Sequence, residues 1–166
     1  MARAFEKYVS APQETGKVMV IEKEFGPDGA ADWARMASGI VDIVKCTFGT
    51  GALYDEDILK AKCKVYTDAG MSPMVGGTLT EVAALCMGGY SKSHLKDYFD
   101  YAKSLGFTHA EFSDGTIYIP DNARAEVIEM IRDAGLTVIS EVGKKDPKKD
   151  AMITTEKRIE LMKQDM

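Results

Sequence analysis

Five times along the chain a short apolar run ends in a polar or glycine-rich turn and then passes into a helical stretch, at roughly thirty-residue spacing. The apolar runs are residues 17–21 (Lys-Val-Met-Val-Ile), 40–46 (Ile-Val-Asp-Ile-Val-Lys-Cys), 71–75 (Met-Ser-Pro-Met-Val), 107–112 (Phe-Thr-His-Ala-Glu-Phe) and 138–142 (Val-Ile-Ser-Glu-Val). Runs of this length and composition read as buried strands, the third weakened by Pro73, which cannot donate to a ladder. Between them, helices are expected over residues 30–38 (Trp33, Met36 and Ala37 inward), 55–68 (Ile58, Leu59, Lys62 and Val65 inward), 91–105 and from Pro120 to Gly135. A shorter helix should start at the capping-box pattern Thr78-Leu79-Thr80-Glu81 and run to about residue 87, and a last one should occupy residues 154–166. Asp68-Ala69-Gly70, Ser104-Leu105-Gly106 and Asp133-Ala134-Gly135 repeat one helix-ending signal. Strict alternation of this kind means an α/β fold with a parallel sheet. Two architectures satisfy it: an open five-stranded doubly wound parallel sheet, or part of a (β/α)8 barrel of the TIM type, which in full runs to about 250 residues.

With 166 residues, 45% of them hydrophobic and 28% charged, the chain reads as a single α/β domain. Residues 1–16 form an irregular lead-in and 17–166 carry the βα units. A net charge of −5 argues against nucleic acid as a partner, because phosphate neutralisation needs a basic face. No apolar run reaches the length of a membrane span and the first residues carry no signal-peptide pattern, so a cytoplasmic location is expected. Cys46, Cys63 and Cys86 have no paired spacing, which fits a reducing compartment and no disulfide or zinc framework.

In parallel α/β folds ligands bind at the carboxyl ends of the strands. There this chain presents Glu22 and Lys23, Lys45, Gly76-Gly77-Thr78, Glu111-Ser113-Asp114, and Glu141 with Lys144 and Lys145. Alternation turns Glu111 away from the helix-covered face, where a buried carboxylate needs a metal ion or a cation, and Lys45 is the structural alternative. The amides of Gly76 and Gly77 could hold an anion ahead of a helix. Gly49-Thr50-Gly51 reads as a plain turn, His94 as a surface residue, His109 as a packed strand histidine, and Lys148, Lys149 and Asp150 as a solvated charge run. Cys46 and Cys86 read as small core residues, with no histidine placed to activate them.

Five blocks in order and spacing resemble the phosphosulfolactate synthase family: Val41-Asp42-Ile43-Val44-Lys45; Phe48-Gly49-Thr50 with Ala52-Leu53-Tyr54; Gly76-Gly77-Thr78-Leu79 with Glu81; Glu111-Phe112-Ser113-Asp114-Gly115-Thr116-Ile117; and Ser140-Glu141-Val142-Gly143-Lys144-Lys145-Asp146. The resemblance implies a (β/α)8 barrel, here with about five βα units present. It also implies a carbon–sulfur lyase that adds sulfite to phosphoenolpyruvate with magnesium, giving 2-phospho-3-sulfolactate in coenzyme M biosynthesis. Three positions depart from the family: Phe48 stands in place of tryptophan, Glu22 of aspartate and Gly51 of a small hydroxyl residue.

For that chemistry Glu111 and Glu141 are the expected Mg2+ ligands, with Asp114 a third, since magnesium takes hard oxygen donors. Lys144 is the expected proton donor, with Lys45 the other catalytic lysine. Lys23, Gly76, Gly77, Thr78, Ser113 and Lys145 are expected to bind the substrate anions. The expected partners are the small molecules phosphoenolpyruvate and sulfite, with no nucleic acid or membrane, in a homo-oligomer. Two other readings fit the same residues: a non-catalytic stress-related or scaffold homologue, and a barrel aldolase forming a Schiff base at Lys144.

Overall fold

A computed structural model describes residues 16–47, 49–86 and 92–166. The expected lead-in up to residue 15, the departure at Phe48 and the side chain of Cys86 therefore lie outside the described residues. Strands β1 (Met19–Glu22), β2 (Ile43–Cys46), β3 (Ser72–Val75), β4 (His109–Ser113) and β5 (Thr137–Glu141) form one sheet, ordered β1-β2-β3-β4-β5. Every neighbouring pair is parallel. All five strands are those expected, displaced by up to three residues at their ends.

The strand order decides where ligands can go. Crossovers of one hand between strands that follow each other in sequence carry the helices to one face of the sheet, as in an arc of barrel wall. A doubly wound sheet reverses its order at a switch point, and no reversal occurs among these five strands.

The helices are α1 (Pro27–Ala37), α2 (Glu56–Asp68), α3 (Gly77–Cys86), α4 (Lys92–Ser104), α5 (Asp121–Asp133), the single turn α6 (Pro147–Asp150) and α7 (Thr155–Asp165), with a 3-10 turn at Thr50–Leu53. Helix α1 begins at a proline, which lacks only a hydrogen that has no helical partner there. It buries Ala30, Ala34 and Ala37 rather than the expected Met36, which is exposed. Small side chains at i, i+4 and i+7 let the helix pack closely against α2 and leave Met36 on the outer side. In α2 the buried stripe is Leu59, Lys62, Cys63 and Tyr66, one position round from the expected face, so Ile58 is exposed. Gly70, Gly106 and Gly135 each follow a helix at positive φ (78°, 96° and 74°), the left-handed conformation that their repeated signal implies.

The main core lies between the sheet and α2 to α5, around Val75, Phe99, Phe107, Phe112, Val127 and Ile131. A second cluster, with Val44, Tyr66 and Met71, packs under α1. Val44 and Cys46 point into these cores, so Lys45 between them faces the other side of the sheet, as alternation requires.

Candidate functional site

At the carboxyl end of β2 the Lys45 ammonium crosses to Glu111 on β4, Nζ to Oε1 2.5 Å, with both side chains buried. The other oxygen, Oε2, accepts the amide of Gly77 at 2.6 Å. The approach is so close that a Cβ at Gly77 would stand 2.6 Å from the Ser113 Cβ and 2.9 Å from Glu111 Oε2. A Cβ at Gly76 would likewise meet the Cys46 carbonyl oxygen at 2.8 Å. The Gly-Gly pair thus lets the start of α3 drop onto the strand ends. Its amides are already committed, Gly76 to Cys46 O and Gly77 to Glu111.

The capping-box expectation is corrected here. Helix α3 starts at Gly77, so Thr78 lies inside it, half-buried, and Glu81 does not turn back to the helix start. Glu81 is 1% exposed and accepts from Ser113 Oγ (2.9 Å), Thr116 N (2.7 Å), Ile117 N (2.9 Å) and the Thr116 hydroxyl. Four donors on one buried carboxylate fix the loop after β4, and the Ser113 hydroxyl is spent in doing so while accepting the Gly115 amide at 3.1 Å.

On β5, Glu141 is the register partner of Ser113 and stands beside it on the same face. It pairs with Lys145 at 2.8 Å. Burial works to lower the Lys145 pKa, but its hydrogen bond to Glu141 and the charges of Glu141, Glu111 and Glu81 outweigh it and hold the ammonium above its ordinary value. The Lys145 amide also donates to Gly115 O at 2.9 Å, tying the β5 loop to the β4 loop. Between these loops lies a cleft of about 390 Å³ lined by Gly115, Thr116, Ile117, Lys144, Lys145 and Lys149.

Lys144 points elsewhere, to Asp114, with Nζ 2.6 Å from both Oδ2 and the backbone oxygen. The far Asp114 oxygen lies 3.4 Å from Arg124 Nη1. Lys23 is exposed, and its backbone oxygen accepts the Tyr54 hydroxyl. The neighbouring Glu22 turns the opposite way, into the helix side, where it meets Lys62 and Tyr66.

The structure therefore joins Lys45, Gly77 and Glu111 in one buried group, sets Ser113, Glu141 and Lys145 beside it, and gives Lys144 and Asp114 their own pairing. Lys23 stands apart on the β1 loop. Each of the three expected metal ligands has a lysine partner, and among the described residues no three or more His, Cys, Asp or Glu side chains are grouped to hold a metal ion. Burial pushes the Cys46 thiol up to about 11 and the Cys63 thiol to about 12, so neither is a nucleophile near neutral pH. His109 is half-buried against Thr108, and burial, then the charge of Lys17, lower its pKa. Lys148 and Lys149 are exposed as expected, whereas Asp150 accepts the Lys144 amide at 2.8 Å and pairs with Arg158. Glu81, Arg124 and Asp165 are the residues that sequence reasoning missed. The signal for Arg124 is a charged residue inside the buried stripe of α5, and the Glu81 signal was masked by its fit to a capping pattern.

A profile of the (2R)-phospho-3-sulfolactate synthase family matches residues 6–166. Among curated proteins, phosphosulfolactate synthase of Methanothermobacter thermautotrophicus is 37% identical over 155 residues, covering 93% of this chain and 58% of the relative. The Methanocaldococcus jannaschii phosphosulfolactate synthase is 34% identical over 164 residues, covering 99% of this chain and 62% of the relative. That of Bacillus subtilis is 28% identical over 155 residues, covering 93% and 58%. The chain thus spans about three-fifths of the length of these relatives.

Proposed function

Because the chain belongs to the phosphosulfolactate synthase family, we propose that it serves the addition of sulfite to phosphoenolpyruvate, giving 2-phospho-3-sulfolactate. The observation that carries this reading is the set of lysine–carboxylate pairs at one end of the sheet: Lys45 with Glu111, Lys145 with Glu141, and Lys144 with Asp114. Such a site offers cations for a doubly anionic substrate and an ammonium that can give up a proton.

In the proposed reaction the sulfite sulfur bonds to the methylene carbon, the double-bond electrons move into the carboxylate, and a proton then reaches the phosphate-bearing carbon. Lys144 supplies that proton and Asp114 holds its ammonium in place. Lys145, which lines the cleft, meets the substrate anion, and Lys23, Lys45, Thr78 and the Gly76-Gly77 turn, outside that cleft, are the further groups proposed to bind the substrate's anions. Lys45 fixes the Glu111 carboxylate in place. Glu111 and Glu141, on neighbouring strands and the same face, are the hard oxygen donors that would hold magnesium, completed by substrate oxygens and water, while Asp114 serves Lys144. Bound magnesium would neutralise the charge that gathers on the substrate carboxylate. The product is one that coenzyme M biosynthesis would consume.

Phosphorus NMR of the protein with phosphoenolpyruvate, sulfite and magnesium tests the reading. A new phosphate-ester resonance that needs all three is expected. Unchanged phosphoenolpyruvate, with no binding of it or of magnesium, would instead fit a scaffold role. Borohydride trapping of a keto acid on Lys144 would point to the aldolase.

A further inference from the structure

The guanidinium of Arg124 is wholly buried, 0% exposed, between the ring of Phe112, 4.7 Å away, and the last helix. Asp165 grips it by two bonds, Nε to Oδ1 at 3.0 Å and Nη2 to Oδ2 at 2.5 Å, and the Ser140 hydroxyl on β5 fixes Asp165 in turn. A buried guanidinium normally fills all its donors. Here Nη1 has no hydrogen bond, and it is the nitrogen aimed at Asp114 Oδ1, 3.4 Å away. The other Asp114 oxygen holds the Lys144 ammonium at 2.6 Å. Four charges therefore alternate in a line, Asp165, Arg124, Asp114 and Lys144, from the C-terminal helix to the strand-end cleft. Other charged groups near Lys144 are Asp150 on α6, which accepts its amide, Arg158 on α7, which pairs with Asp150, and Lys145, Asp146 and Lys149, which line the same cleft.

We infer that Arg124, clamped by Asp165, is a positioning residue that holds the Asp114 carboxylate against Lys144 and so sets where that ammonium points. The arrangement explains why a charge pair is kept in the core at all. Apolar groups of similar volume would fill that space equally well, so the pair serves placement more than stability. Its catalytic consequence rests on the reading of Lys144 as proton donor; the contact itself does not.

The test is site-resolved acylation of the folded chain at one pH with an amine-reactive ester, read by mass spectrometry, with exposed Lys149 as the internal reference. In the parent protein Lys144 should label several-fold more slowly than Lys149. Arg124→Lys keeps the charge but loses the two-pronged grip, and should close that gap with Lys149 unchanged. Folded Arg124→Lys labelling like the parent overturns the inference. If circular dichroism shows that this variant does not fold, Asp114→Asn decides in its place, and unchanged labelling of Lys144 there overturns it equally. Labelling needs no turnover, so it stands or falls apart from the proposed reaction. Where turnover is measured, Arg124→Lys should lower kcat and leave KM for phosphoenolpyruvate unchanged, a split that general loosening of the fold does not produce.

Discussion

At the scale of single residues, the buried charges have opposite consequences depending on which partner is removed. Lys62 Nζ lies 2.8 Å from Glu22 Oε2 at an angle too oblique for a hydrogen bond, with the Tyr54 ring 4.1 Å away, and both side chains are almost wholly buried. Glu22 also accepts the amides of Glu24 and Phe25 and the Tyr66 hydroxyl. Lys62→Met leaves that carboxylate without its cation and should cost about 3–5 kcal/mol, read by urea unfolding. Burial would raise the Glu22 pKa, but pairing with Lys62 and the two amides hold it below 4.5. A carboxyl depressed in the folded state stabilises fully above its unfolded pKa, so this contribution should fade as pH falls below about 4.5 and be absent from the Lys62→Met titration. Glu111→Gln illustrates the same point at the site. The amide is a poor magnesium ligand, so turnover should vanish, and Lys45 is left buried without its anion, so the melting temperature should fall as well. Glu141→Gln, at a half-exposed position, should lose activity with little change in melting. Wild-type turnover in either variant removes that carboxylate from the site. Spacing along the chain put Lys62 on the inner face of its helix and Glu111 off the helix-covered face, yet it identified the partner of neither beyond offering Lys45 for Glu111. These two ion pairs join residues far apart in sequence, and nothing local encodes them.

Elements meet most tightly where α3 descends onto β4. Gly77→Ala adds a methyl group 2.6 Å from the Ser113 Cβ, a separation real carbon atoms do not tolerate, so helix and strand must part. Overpacking of that order costs about 1–3 kcal/mol, and the Gly77 amide would also leave Glu111. Gly26→Ala, ahead of α1 at φ −75° with nothing within 4 Å of the added carbon, should be close to neutral. Equal losses in the two variants, measured by thermal unfolding, would remove the close approach as the reason for the glycines. The Ser/Thr-x-x-Glu pattern at residues 78–81 shows where element-level reading fails. Its residues suit a capping box, but the donors of the β4 loop lie within reach of Glu81 only once α3 is seated on the sheet, and four of them outcompete one helix-end amide. By contrast the glycine stops at 70, 106 and 135 were legible directly, because positive φ is a property of the residue itself.

For the whole molecule, the sheet order leaves β1 and β5 as its outermost strands among the described residues. Within β1, Met19 and Ile21 are 43% and 52% exposed, and near β5 Met162 and Met166 are also exposed. Exposed apolar surface on an outermost strand favours pairing between copies, so the 166-residue chain should sediment as oligomers at micromolar concentration. A cooperative monomer there would show that these surfaces do not drive association. No helix among the described residues is long and apolar enough to cross a membrane. The sequence by itself determined the number, kind and order of the βα units and the end of the sheet at which polar residues gather, because apolar periodicity, glycine and proline act within a few residues of chain. Only the tertiary structure decided that the strands run in unreversed order, that Glu111 is met by Lys45, and that Asp114 turns from the other carboxylates to Lys144 and Arg124. Those outcomes depend on distances between separate strands, loops and helices, which are set when the helices pack and which no local pattern contains.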